Sequence, residues 1–149
     1  MSESLLLFSI VLILGRMETK KHIILFDGEC NFCSFWVNYI IKRDKKDVFR
    51  FASLQSEIGQ GYLEKHKISS SIDSIVLIEK STSYIKSTAA LRVLKTLGGF
   101  RFIFYGLIII PTFIRDFFYD IIARYRYSWF GKNDCEFVPS QNFMNKFLM

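Results

Sequence analysis

The sequence predicts a mixed α/β fold with the element order β-α-β-α-β-β-α and an appended C-terminal helical region. Three observations predict it. Short apolar runs at 22–26, 48–52 and 74–79 alternate with stretches of helical periodicity. A cysteine pair, Cys30-x-x-Cys33, stands directly behind the first of those runs. From Phe100 onward the chain changes character and becomes rich in phenylalanine.

Taken in order, residues 22–26 read as a strand and Asp27-Gly28 as a turn into a helix beginning around the cysteines. Residues 34–43 continue that helix, with Trp36, Val37, Ile40 and Ile41 at helical spacing. After a charged turn at 44–47, residues 48–52 alternate as a strand does. Residues 56–67 read as a second helix, weakened by Gly59 and Gly61. Residues 74–79 form a buried strand, and residues 80–83 turn it into a partner at 84–86. Ser87 is the expected N-cap of a helix over 88–97 that Gly98-Gly99 stops. This is the order of a thioredoxin-like β-α-β-α-β-β-α core, with the cysteines at the end of the first strand.

The last third reads as a helix from Phe100, a break at Pro111, and a second helix from about Thr112. Phe113, Phe117, Phe118, Ile121 and Ile122 share one broad face of that second helix, expected to pack on the core as a cap. Membrane contact is the alternative for this region, against which Pro111 and the short run weigh. Arg124 to Trp129 interleave cations with aromatics. That pattern suits stacking on single-stranded nucleic acid, but a solvated helix end with snorkelling arginines is the commoner meaning, and no nucleic acid is expected.

With 149 residues and 50% hydrophobic content, the chain is long enough for one good core. The expected organisation is an apolar extension at 1–16, one domain at 17–139 and a tail at 140–149. The net charge of +6 leans toward acidic or membrane-surface partners but is too dispersed among acids to name nucleic acid. Residues 5–14 are apolar except for Ser9, half the length needed to cross a bilayer and without the flanks of a signal peptide. Met17 opens what looks like an ordinary start, so translation beginning there competes with a hydrophobic anchor. A reducing, cytoplasmic setting fits three cysteines of which two are closely paired. Association with a membrane, through residues 5–14 or the Phe-rich region, is the alternative.

At a strand-to-helix junction, unpaired N–H groups and the helix dipole favour a thiolate. Cys30 is therefore expected to be the more exposed and more acidic thiol and to attack a disulfide. Cys33, one turn on, then resolves the mixed disulfide. Asp27 either tunes or relays a proton, or is a turn residue accepting N–H groups beyond Gly28. A zinc-binding or interaction module using the same cysteines is the competing function, but Cys135, His22 and His66 are scattered. A phosphatase-type nucleophile at Asp27 would want a second Asp where Glu29 stands. Thiol exchange needs no cofactor and no metal, only a disulfide-containing protein or small molecule and an electron donor.

Asp27-x-x-Cys30-x-x-Cys33 after an apolar strand is similar to the signature of the DCC family of thiol-disulfide oxidoreductases. The closing stretch resembles that family too: Pro111, Arg115-Asp116, Tyr119-Asp120, Ala123-Arg124, Arg126, Trp129-Phe130-Gly131, Cys135 and Pro139. The resemblance runs from about Ile23 to Pro139. It implies a thioredoxin-like fold and protein-disulfide reductase activity, and it makes Arg115, Asp116 and Cys135 candidates for supporting the site. Thioredoxins also carry a cis-proline before the third core strand, whereas residues 69–74 here contain none, so substrate docking must differ.

Overall fold

The computed structural model describes residues 21–131 and 141–148. Strand β1 (His22–Phe26) leads into helix α1 (Asn31–Arg43), β2 (Phe49–Ser53) and α2 (Glu57–Lys65). Strands β3 (Val76–Glu79) and β4 (Thr82–Ile85) precede α3 (Lys86–Leu97), a 3₁₀ segment (Gly99–Ile109) and α4 (Thr112–Phe130). A short 3₁₀ turn, Gln141–Lys146, follows. The expected element order is present, with boundaries displaced by one or two residues.

The sheet order is β2-β1-β3-β4. β1 and β2 are parallel, joined through α1, while β3 runs antiparallel to β1 and forms a hairpin with β4. This mixed four-stranded sheet is that of a thioredoxin-like fold. Alternate residues of each strand face opposite sides. Ile24, Phe26, Phe49, Phe51 and Leu77 pack with α1 and α3, whereas Leu25, Ala52, Val76 and Ile78 pack with Leu63 of α2. Two apolar layers therefore enclose the sheet and fix the C-terminal end of β1, where the cysteines follow.

Ser56 caps α2, its hydroxyl accepting from Gly59 N–H at 3.0 Å. Ser87 does not cap α3: that helix begins at Lys86 after Ile85, and the Ser87 hydroxyl instead donates to the Asp116 carboxylate. Gly98, at a positive φ of 68°, ends α3 as expected. Residues 146–148 lie against the edge strand β2. Leu148 N–H donates to Phe51 O at 2.8 Å, and the Phe147 ring packs on Phe26 and Phe51. That covers backbone an edge would otherwise offer to another strand.

Two expectations for the last third need correction. The stretch after Gly99 is a 3₁₀ helix, with three residues per turn, so Phe100, Ile103, Gly106 and Ile109 fall in one row, and all four are exposed. The face of α4 carrying Phe113, Phe117, Phe118, Ile121 and Ile122 is not buried; Phe113 retains 74% of its surface and Phe117 62%. The side that packs is the other one. Arg115, Asp116, Tyr119, Arg126 and Tyr127 are less exposed and bond to the core. Polar anchors outcompete apolar burial here, the bonds of α4 to Ser87, the Ile75 N–H and Asp27 pairing polar groups of the core.

Candidate active site

Cys30 is the N-cap of α1. Its backbone is extended, its carbonyl accepts the first helical bond from Ser34 N–H at 2.9 Å, and its Sγ accepts from Cys33 N–H at 3.4 Å. The thiol thus takes the place of the usual hydroxyl or carboxylate cap, with an N–H directed at the sulfur and the positive end of the helix dipole behind it.

The relative exposure of the two thiols is the reverse of the expectation. Cys30 is fully buried, while Cys33 keeps partial access. The cap geometry turns Cys30 inward over its own helix, whereas Cys33 lies on the side facing a cavity. Burial, and after it the neighbouring Cys30, push the Cys33 thiol well above the ordinary cysteine range, which keeps it protonated at neutral pH.

Asp27 joins the site to the rest of the molecule. Its Oδ1 accepts from Glu29 N–H at 3.0 Å and Gln55 Nε2 at 2.9 Å. The first of these is the turn contact read from the sequence. Its Oδ2 accepts from Arg126 Nη2 at 3.1 Å and from the Tyr127 hydroxyl. Four donors hold one buried carboxylate, which anchors α4 across the start of α1. Gln55 also accepts from Gly28 N–H at 3.1 Å. A Cβ on Gly28 would come within 2.9 Å of Ser53 Oγ, so a larger residue there would require that hydroxyl to turn away from Gln55.

Arg126 and Tyr127 carry roles the sequence did not point to beyond Arg126's place in the family-like stretch. Arg126 is 3% exposed, not a snorkelling helix end. Besides Asp27 it donates to Asp73 O at 2.5 Å. Burial pulls its pKa down, but the Tyr127 hydrogen bond, and the attraction of Cys33, Tyr127 and Cys30 once they ionise, outweigh this and hold the guanidinium above its usual range. A permanent cation therefore sits in the electrostatic field of both thiols. Next along, Ile75 N–H donates to the Tyr119 hydroxyl at 3.1 Å. The stretch before β3, where thioredoxins keep their cis-proline, is thus tied to α4 from both sides.

Beside Cys33 lies an apolar cavity of about 220 Å³, whose walls include Phe32, Trp36, Ile75, Tyr119 and Ile122. The other end of α4 meets α1 there: Asn31 Nδ2 donates to Phe130 O at 3.0 Å, and the Phe32 and Phe130 rings lie 4.8 Å apart.

Cys30, Cys33 and Asp27 are brought together. Arg115 and Asp116 stand at the joint of α3 and α4, where Arg115 donates to Ser87, Thr88, Thr112 and Ile110 O. Cys135 lies outside the described residues, as do residues 1–16. Among the described residues, no three of His, Cys, Asp or Glu group as metal ligands would.

A family model described as DCC1-like thiol-disulfide oxidoreductase matches residues 24–132. The uncharacterized protein YuxK of Bacillus subtilis (strain 168) is 44% identical over 133 residues, covering 88% of this chain and 96% of that one. The DCC family protein At1g52590, chloroplastic, of Arabidopsis thaliana is 40% identical over 122 residues, covering 80% and 71%. No solved structure matches the chain significantly.

Proposed function

This chain belongs to the DCC1-like thiol-disulfide oxidoreductase family, and from that premise we propose that it is a disulfide reductase working through Cys30 and Cys33 in a reducing, cytoplasmic setting. The observation that carries the reading is the unequal treatment of the two sulfurs. Cys30 Sγ receives a backbone N–H at a helix start, while burial keeps Cys33 protonated.

The Cys30 thiolate attacks one sulfur of a substrate disulfide. A Cys30–substrate disulfide forms as the other substrate half leaves as a thiolate. Cys33 then attacks Cys30 Sγ, the Cys30–substrate bond breaks, and the proton lost by Cys33 ends on the departing thiolate of the second half. The substrate gains two electrons and the protein is left with a Cys30–Cys33 disulfide, which an external dithiol donor reduces. Since Cys30 is buried, the turn around it must open as the substrate docks. The cavity beside Cys33 suits an apolar group flanking the substrate disulfide, protein or small molecule. Arg126 supports the thiolate electrostatically, and Asp27 positions Arg126.

Reduction of insulin or a synthetic disulfide, with dithiothreitol as donor, tests this. Wild type is expected to turn over, Cys30→Ser to be inactive, and Cys33→Ser to accumulate a mixed disulfide visible by mass. Full multiple turnover by Cys33→Ser would overturn the two-cysteine mechanism. An inactive wild type would overturn the reductase reading.

A further inference from the structure

We propose that the outer surface of the 3₁₀ segment Gly99–Ile109 and of α4 docks on a lipid bilayer, lying in the headgroup–acyl boundary rather than crossing it. The inference does not rest on the redox reading. Ile103, Ile109, Phe113, Phe117, Phe118 and Trp129 are each more than half exposed on these two consecutive elements, and smaller exposures of Phe104, Leu107 and Ile122 add to them. Scattered apolar residues on a surface need no explanation, but this many large apolar side chains exposed on two successive elements do.

The composition of that face points to lipid. No single helix among the described residues is long and apolar enough to cross a membrane, and the 3₁₀ segment and α4 reach that length and composition only together, as a pair bent by 120°. Both arms carry exposed apolar side chains, and a fluid bilayer accepts such a surface without a matching shape. The border is cationic. Lys95 lies over the Tyr105 ring and Arg101 over the Phe100 ring, while Arg124 is exposed in the same helical row as Phe117 and Ile121. The acids of α4 are already engaged, Asp116 with Ser87 and Asp120 with Lys86. Anionic headgroups therefore meet the exposed Lys95 and Arg124. Tyr125 and Trp129, stacked at 5.5 Å and exposed, supply the amphipathic rings that favour the interface. Ile122 belongs both to this face and to the wall of the cavity beside Cys33, so docking would bring that cavity to the lipid surface.

Flotation of the full chain with vesicles of phosphatidylcholine and phosphatidylglycerol tests the proposal, comparing wild type with Ile103→Ser/Phe113→Ser/Phe117→Ser. These side chains are exposed, so the triple variant is expected to fold, as circular dichroism would show, and it keeps residues 1–16. Wild type is expected to float and the variant to bind about tenfold less or weaker. Three results would overturn the proposal: equal flotation of both proteins, no flotation of wild type, or a wild-type dimer by size exclusion that the substitutions dissociate, which would assign the face to a second copy.

Discussion

Cys33 N–H donates to Cys30 Sγ at an N···S distance of 3.4 Å, so the side chain of the first cysteine caps the backbone of the second, whose own thiol stays protonated. Burial is the larger cause of the Cys33 shift and the neighbouring sulfur the next. Removing that sulfur in Cys30→Ser leaves burial in place but takes away the repulsion. Iodoacetamide is then expected to label Cys33 faster in Cys30→Ser than in wild type at the same mildly alkaline pH. Equal rates would mean that the two sulfurs do not communicate.

Arg126→Met leaves the Asp27 carboxylate buried without its cation. The expected loss of stability is about 3–5 kcal/mol, the usual cost of stranding one half of a buried pair. Asp27→Asn/Arg126→Met, which removes both charges, should lose less than the sum of the single variants, with a coupling of about 0.5–3 kcal/mol by urea denaturation. Additive losses would show that the two groups do not act as a pair.

Alkaline pH should unfold this protein earlier than its acids alone would suggest. Burial raises Cys33 above 9.0 and Tyr119 from 10.0 to about 12. Burial and the bond to Asp27 raise Tyr127 to about 12. In each case the folded state holds its proton more tightly than the unfolded chain, so the contribution is complete below pH 9 and is lost as pH climbs toward 12. Urea midpoints are expected to be level from pH 7 to 9 and to fall steadily above pH 10. A midpoint that rose across that window would contradict the assignment.

The two glycines of α2 should respond in opposite directions. A Cβ on Gly59 would sit 2.0 Å from Ser53 O, whereas one on Gly61 meets nothing within 4 Å. Gly61→Ala is expected to stabilise by about 0.5–1 kcal/mol. Gly59→Ala should destabilise by about 1–3 kcal/mol or more, because helix and strand must separate to admit the methyl group. Thermal melts of the two variants read this directly.

Local pattern made the sheet, its hairpin and the cysteine-bearing junction legible, because alternation and helical spacing are properties of a few adjacent residues. It also showed which residues of α4 share a face. It did not show which face turns inward, since periodicity fixes grouping and not direction. Arg126 and Tyr127 could not be assigned to Asp27 from the sequence for a related reason. Their partner is 99 and 100 residues away, with no signal between. The burial of Cys30 is not legible in the sequence, because the strand-to-helix position fixes the cap but not that the cysteine folds its side chain back over the helix.

The span between Asp27 and Arg126 has a consequence during translation. A ribosome needs about 5–20 s to add those 99 residues, and throughout that interval the two thiols have been made but the helix that will be pinned beside them has not. The nascent domain can complete its strands before its guardian helix emerges. Slow codons between these points would lengthen the exposure of the cysteines to stray oxidants and to neighbouring nascent chains. The tempo of synthesis, and not only the finished architecture, thus bears on how many molecules keep both thiols intact.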